Sequence, residues 1–323
     1  MPWSIACARW KQRSMGAAMV EAGVAVKSLL QGAAPERKQE IKDLWNHYAP
    51  KVCVVEDARG VNISAGKGRI QFDHKTLEAI WLLGFNGWRS IETYSPAIIL
   101  AGITDGAIED ILCADDELAA FEMDYRSRAN SARSIIEEKS SVHTTWPQDV
   151  PRPEADRETL GSHQEMVAFD LVCLATAYVF LHELRHVKFL SDGDCPADRR
   201  EEEIACDVWA RSFLTDKVES YAQSVGQAFS RVLDKRSMGI ALGAMILHEI
   251  TPESARWGTA EYPPITTRIQ AMISGSTLAK ESHFWLFTAC LLVGIFRQAH
   301  RQLPMYAPST HELVEQLITD LQP

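Results

Sequence analysis

The chain has 323 residues, of which 46% are apolar and 24% charged, a composition that excludes the disordered, collagen-like and low-complexity classes. Its 33 Lys and Arg stand against 43 Asp and Glu, and the net charge of -10 argues against general nucleic-acid or anionic-membrane binding. Seven cysteines (positions 7, 53, 113, 173, 195, 206 and 290) have an odd count, irregular spacing and no C-x-x-C, which points to reduced thiols rather than a disulfide framework.

The N-terminal stretch MPWSIACARWKQRSMG lacks the basic-then-apolar order of a secretory signal. The most apolar runs, Met166–Leu181 and Phe284–Phe296, fall short of the roughly 20 residues that cross a bilayer, and the first contains Asp170. The expectation is a cytoplasmic protein with no membrane insertion and no nucleic-acid partner.

Helical periodicity dominates. Glu36–Tyr48 sets Ile41, Leu44, Trp45 and Tyr48 on one face. Two strands are expected next, Lys51–Val55 and Arg69–Phe72, joined as a hairpin across the Gly66/Gly68 turn. Helices follow at Thr76–Leu83, Ala107–Arg126 and Arg133–Glu138. The stretch from Thr144 to Arg157 holds three prolines and no apolar period. It divides the chain into a mainly helical region 1–145 (with the hairpin at 51–72), a Pro-rich linker 146–158 and a helical region 159–323. Helices in the last region are expected at Ser162–Leu190, Arg199–Lys217, Val218–Asp234, Met238–Ile250, Thr266–Ile273, Leu278–Gln302 and Thr310–Leu321.

One motif carries chemistry: His182-Glu183-Leu184-Arg185-His186, inside the run AFDLVCLATAYVFLHELRHVKFL. On a helix, positions i and i+4 share a face, so both imidazoles can reach one metal ion. Glu183 sits beside the first ligand, where it can take the proton of a water that the ion activates. Zn²⁺ suits imidazole and carboxylate donors. The competing reading is a helix whose two histidines and glutamate merely face solvent or a satisfied polar core. The apolar flanks, Phe180, Leu181 and Leu184 on one side and Val187, Phe189 and Leu190 on the other, make a largely buried helix instead, and burying these groups unpaired is costly.

A catalytic zinc keeps three protein ligands and one open position. On the next helix Glu203, Asp207, Ala210 and Leu214 fall at i, i+4, i+7 and i+11, a core-type stripe that begins with two acids. Glu203 is therefore expected as the third ligand. Asp207, one turn on, would hold the free ring N–H of a ligating histidine. Glu201 and Glu202 read as solvated acids at a helix start, favoured by the macrodipole. Further on, Tyr262-Pro263-Pro264-Ile265-Thr266-Thr267-Arg268 rigidly opens a helix. Tyr262 and Arg268 are candidates to stabilise an oxyanion, against the plainer reading of a Pro-capped helix start.

HExxH followed by E-x-x-x-D on the next helix resembles the gluzincin metallopeptidases. The run E-I-A-C-D-V-W-A is similar to the third-ligand helix of the HtpX-type, CAAX-protease-type and ImmA/IrrE groups. Those families carry H-P-x-x-x-x-R near the site, and here Y-P-P-I-T-T-R occupies that place, with Tyr262 where they have His. The soluble layout, with a long helical preamble, looks most like the Lit-type phage-exclusion peptidases. The resemblance implies a mainly α fold with a small β component. Its zincin-like (minigluzincin-type) core would consist of an active-site helix, a glutamate helix and a small sheet. It also implies a cytoplasmic zinc endopeptidase acting on one host protein, in that family an elongation factor, after phage infection.

Other motifs carry less. Ser64–Arg69 lacks Walker A spacing and reads as a turn. His248-Glu249 is half a zinc motif, with Pro252 where a second His would stand, and reads as a helix end. Two rival functions remain open: a partner-binding protein with a structural zinc, which would have no use for Glu183, and a zinc hydrolase of a non-peptide substrate.

Overall fold

The computed structural model describes residues 15–139, 145–273, 278–305 and 309–321, with side chains from 21 onward. The stretch read above for a secretory leader, apart from its last two residues, and His143 lie outside the described residues. Twelve α-helices and three strands are described. Helices α1 (Met15–Ala33) and α2 (Lys38–Tyr48) precede strands β1 (Lys51–Val54), β2 (Ile63–Gly66) and β3 (Arg69–Phe72). Then come α3 (His74–Thr104), α4 (Ile108–Ala114), α5 (Asp116–Glu137), α6 (His163–Asp192) and α7 (Arg199–Thr215). The chain ends with α8 (Val218–Ser224), α9 (Phe229–Ile250), α10 (Ile265–Ile273), α11 (His283–Gln298) and α12 (Thr310–Asp320). The fold is mainly helical with one small sheet.

The expected hairpin between the first and last strands is corrected. β1 pairs parallel with β3, Lys51 opposite Arg69 and Val54 opposite Phe72. The hairpin is β2–β3, antiparallel, with Gly66 opposite Arg69. Its two-residue turn, Lys67-Gly68, has φ of 49° and 73°. Both values are positive, as the hairpin turn whose twist matches the strands requires. β2 is too short and too polar to announce itself as a strand, yet it forms one edge of the sheet, in the order β1-β3-β2. The inner face of the sheet buries Val52, Ile70 and Phe72. Phe72 meets Phe180 of α6 edge-on, ring centroids 5.3 Å apart.

Several helix bounds also differ from expectation. The predicted Thr76–Leu83 is a fragment of the 31-residue α3, which runs through Pro96. That helix is apolar on nearly every side of its first half and so shows no amphipathic period. The break expected within 218–238 falls earlier, after Ser224, and α9 runs unbroken from Phe229. The pieces expected at 107–126 and 133–138 become α4 and one long α5, split at Asp115, whose carboxylate caps α5 through Glu117 N and Leu118 N.

α6 is the central helix. Its N-terminus carries a capping box, Ser162 with Glu165, and it ends at Gly193 with φ 71°. By length and composition it could cross a bilayer, but 78% of its most apolar window is buried inside the protein. It packs against α1, α3, α7, α9 and the sheet. The main hydrophobic cluster runs from Ala22 to Leu321, on both sides of the Pro-rich stretch 146–158. That stretch is itself pinned to α3, since Trp81 Nε1 donates to the Pro151 carbonyl at 2.8 Å. Buried Lys75 ties the sheet down. Its ammonium donates to the carbonyls of Gly60 (2.9 Å) and Ile136 (2.6 Å), so it both caps the end of α5 and holds the loop leading into β2.

α6 and α9 touch through Gly239, where an added Cβ would lie 2.4 Å from Leu174 Cβ. Cβ of Leu174 is fixed to its own backbone and cannot swing away. Gly239→Ala is expected to destabilise the protein by about 1–3 kcal/mol despite alanine's better helix propensity. A denaturant midpoint equal to or above that of wild type would refute the close approach.

α9 is also tied to α5. Arg133 Nη2 donates to Glu249 Oε2 at 2.6 Å and to Gln298 Oε1 at 2.7 Å. Burial pushes the Glu249 carboxyl up, but His248 and Arg133 beside it more than offset this and hold it down to about 2. In the unfolded chain it returns to about 4.3. A depressed carboxyl stabilises the fold above the unfolded value and loses that contribution as pH falls through roughly 4.3 toward 2. Glu249→Gln should therefore lower stability near neutrality and flatten the loss of stability between about pH 5 and 2.5. Equilibrium unfolding across that range is the check, and parallel curves for the two proteins would remove the pair from the account.

Candidate metal centre and catalytic cleft

Residues 193–198 reverse the chain between α6 and α7, and the Asp198 carboxylate caps α7 by accepting from Arg200 N at 2.8 Å. The reversal lays α7 along the last turns of α6. The stripe Glu203, Asp207, Ala210 and Leu214 is buried throughout, at 3%, 0%, 0% and 0% exposure.

His182 and His186 bring their Nε2 atoms to 3.1 Å from each other. One oxygen of Glu203 lies 3.3 Å from His182 Nε2, and the other 3.3 Å from His186 Nε2. Each ring is held from behind by an acid. Asp207 Oδ1 is 2.9 Å from His182 Nδ1, and Glu202 Oε1 is 2.6 Å from His186 Nδ1. With both Nδ1–H groups donated to carboxylates, both Nε2 lone pairs face one another and the Glu203 oxygens. Four electron-rich atoms so arranged in a buried place are costly unless a metal ion or protons offset their charge.

The donor set fits a divalent metal. Zn–N and Zn–O bonds of about 2.0–2.2 Å at tetrahedral angles put neighbouring donor atoms a little over ~3 Å apart. Without a metal, protons must supply the positive charge. Burial pushes the His182 imidazolium down, but Asp207 and Glu203 more than compensate and raise its pKa to about 9. Glu203 is held well below the usual carboxylate range by the two histidines and Arg268, against the opposing effect of burial.

Cys206 offers a rival third donor. With the two histidines it makes a buried group, with ligand atoms all within 4.8 Å of one another, that could bind a metal ion. Its Sγ, however, lies 3.5 Å from Nδ1 of His186, the ring nitrogen already facing Glu202. Burial and the surrounding carboxylates push the thiol far above its ordinary pKa, so the thiolate a metal needs is disfavoured. Glu203 by contrast reaches both Nε2 atoms, one with each oxygen.

Glu183 is 8% exposed and makes no hydrogen bond to any described residue. Burial raises its pKa, opposed by the two histidines and supported by Glu203. It borders a cleft of about 380 Å³ that His182, His186, Glu203, Tyr262 and Arg268 also line. All seven residues singled out from the sequence thus gather in one place, with Asp207 behind His182. Tyr262 stands at the cleft mouth, 44% exposed, on a turn where its N–H donates to Thr259 Oγ1 at 3.0 Å.

For two positions the geometry differs from the sequence expectation. Arg268, read above as a candidate oxyanion donor, spends its guanidinium on carboxylates. It donates from Nε to Asp207 Oδ2 at 2.7 Å and from Nη2 to Asp207 Oδ1 at 2.9 Å, and its Nη1 lies 3.4 Å from Glu203 Oε2. Its work is to fix the two acids. Glu202, read above as a solvated acid, is 1% exposed and bonds His186 from behind, while Arg199 Nη1 donates to its other oxygen at 2.6 Å. The signal was present: Glu202, Cys206 and Phe213 (i, i+4, i+11) form a second buried stripe that begins with an acid, beside the one that singled out Glu203. Tyr178 was also missed. One turn before His182, it donates its hydroxyl to Asp207 Oδ1 at 3.0 Å.

The comparison with known families defines the class, a peptidase. The model of the family described as Peptidase U49 matches residues 70–288, more than half of the chain and every residue of the cluster. The chain belongs to that family. No curated protein and no solved structure matches it.

Proposed function

We propose that the protein is a zinc-dependent endopeptidase of the gluzincin kind, with His182, His186 and Glu203 as metal ligands and Glu183 as general base. The observation that carries this reading is the convergence of two Nε2 atoms and one carboxylate, with the carboxylate of Glu183, unpartnered among the described residues, lining the same cleft. A divalent cation held there supplies Lewis-acid polarisation of the scissile carbonyl and of the attacking water.

The chain's own groups do the rest. Asp207 and Glu202 fix the imidazole tautomers and ring angles. Glu183 takes a proton from the attacking water and passes it to the leaving amine. Tyr262 lines the same cleft, and its hydroxyl is the donor proposed for the oxyanion that develops at the carbonyl. β2 borders the cleft with Ile63, Ser64 and Ala65, and its free edge can pair with an extended polypeptide by strand addition. The opposite wall, Ile246, Leu247, Ile250 and Ile265, is apolar and suits an apolar side chain next to the cleaved bond. A cleft flanked by a strand of the sheet favours a protein substrate over a small molecule. The resemblance to Lit-type enzymes extends the proposal to an intracellular host protein, such as an elongation factor, in phage defence.

Metal analysis tests the centre. Purified protein is expected to hold about one zinc, with His182→Ala and Glu203→Ala losing it and Cys206→Ser keeping it. A chelator should stop cleavage, and added Zn²⁺ should restore it. Metal retained without Glu203, or lost with Cys206, would hand the third position to the thiol.

A further inference from the structure

A second cavity along α6, away from the cleft, lies between the first halves of α6 and α9 and the last turns of α1. Its volume is about 650 Å³, within the range of small-molecule sites. His182 lies twelve residues further along α6 than Asp170 of this cavity, about 18 Å away, so the two places are distinct.

We infer that this cavity binds a small amphipathic anion, one with a phosphate or carboxylate group on a flat apolar body. Its lining is partly apolar, with Leu29, Val167, Phe169, Leu174 and Val232, and carries four cations, Arg157, Arg231, Lys235 and Arg236. Two carboxylates answer them. Asp170 accepts from Arg157 Nε at 2.7 Å and Nη2 at 3.1 Å, and from Lys235 at 2.8 Å. Glu36 pairs with Arg236 at 3.0 Å. Glu158 adds a third carboxylate beside Arg157, which leaves one positive charge in excess, on a chain whose net charge is -10.

The arrangement is partly preorganised. Asp170 holds the Arg157 fork in a fixed plane, and Glu36 and the Leu214 carbonyl hold Arg236. Arg231 is exposed and pairs with no described residue. Lys235 keeps donors beyond the one given to Asp170, since an ammonium has three. Tyr221 and Gln227 add neutral polar groups at the rim. Two fixed guanidiniums, a free one and an ammonium with donors to spare, among apolar side chains, are complementary to an anionic head on an aromatic body.

Isothermal titration calorimetry of the full-length, metal-loaded protein tests this with phenyl phosphate, benzoate, inorganic phosphate and phenol. One of the two amphipathic anions is expected to bind at 1:1, and at least about tenfold tighter than either inorganic phosphate or phenol. The preferred probe decides between a phosphate and a carboxylate head. Arg231→Ala should weaken it by about tenfold, and Arg231→Glu/Lys235→Glu should abolish it, with unchanged metal content and melting temperature. Binding should survive chelation of the metal, which separates this cavity from the cleft. Absence of saturable binding by both phenyl phosphate and benzoate, equal binding by Arg231→Ala, or loss of binding on chelation each overturns the inference.

Discussion

Glu183→Gln is expected to lower peptide hydrolysis by about a hundred- to ten-thousand-fold while leaving zinc bound at about one equivalent. The substitution keeps the size of the side chain and removes its basicity. Glu183 is not among the groups that converge on the Nε2 atoms, so metal affinity should not depend on it. Its carboxyl is raised by burial, which makes it a better base, and it has no described partner that would compete for the proton. Cleavage of a peptide library, read beside elemental analysis of the same preparation, checks both halves. A variant that still turns over at the wild-type rate, or that loses its metal, sinks the assignment.

Arg268→Ala is expected to cost about 3–5 kcal/mol, the largest stability effect of any substitution outside the apolar core. The other donors to Asp207, the Tyr178 hydroxyl and the His182 Nδ1–H, do not replace the charge of the guanidinium when a metal holds His182 neutral. Asp207 is fully buried and Glu203 nearly so, and both rely on this guanidinium. Their stripe was selected for burial by the fold, so water cannot replace the lost cation. Arg268→Lys should fall between the two, because an ammonium cannot reproduce the two-point contact with Asp207. Arg268→Ala combined with Asp207→Asn should be less damaging than the sum of the single changes, since each single change strands the other charge. Denaturant unfolding with metal present is the measurement. A midpoint within about 1 kcal/mol of wild type would show that the metal and histidines alone satisfy the acids.

The two expectations rest on information of different kinds. The pair of imidazoles and the base beside them are five consecutive residues, and helical geometry alone places them. The Glu203–Asp207 stripe is likewise local, and its burial follows from its period. Arg268 lies 61 residues beyond Asp207, and no spacing rule connects them. The place of Arg268 at the site was foreseeable from its sequence, and the direction of its guanidinium, onto Asp207 and Glu203, was not. The reading of Glu202 as a solvated acid failed because an acid in the first turn of a helix has a ready explanation in the macrodipole, and that explanation hid its burial.

Among the strands, KVCVV and RIQF announce themselves by β-branched and alternating residues. ISAG does not, because a short edge strand needs little side-chain pattern to hold it, only the turn and the partner already formed. That unannounced strand is the one that borders the cleft.

Helical period and residue type are enough to say which side chains share a face, that the HELRH helix is buried, and that two acids of the following helix must meet something positive. Periodicity fixes the azimuth of a side chain on its own helix, and nothing more. The rotation and slide of one helix against another come from how the whole set of side-chain volumes packs, including contacts as close as Gly239 on Leu174. Those nonlocal terms turned Glu202 inward to His186, brought Arg268 onto Asp207, and set β2 along the cleft.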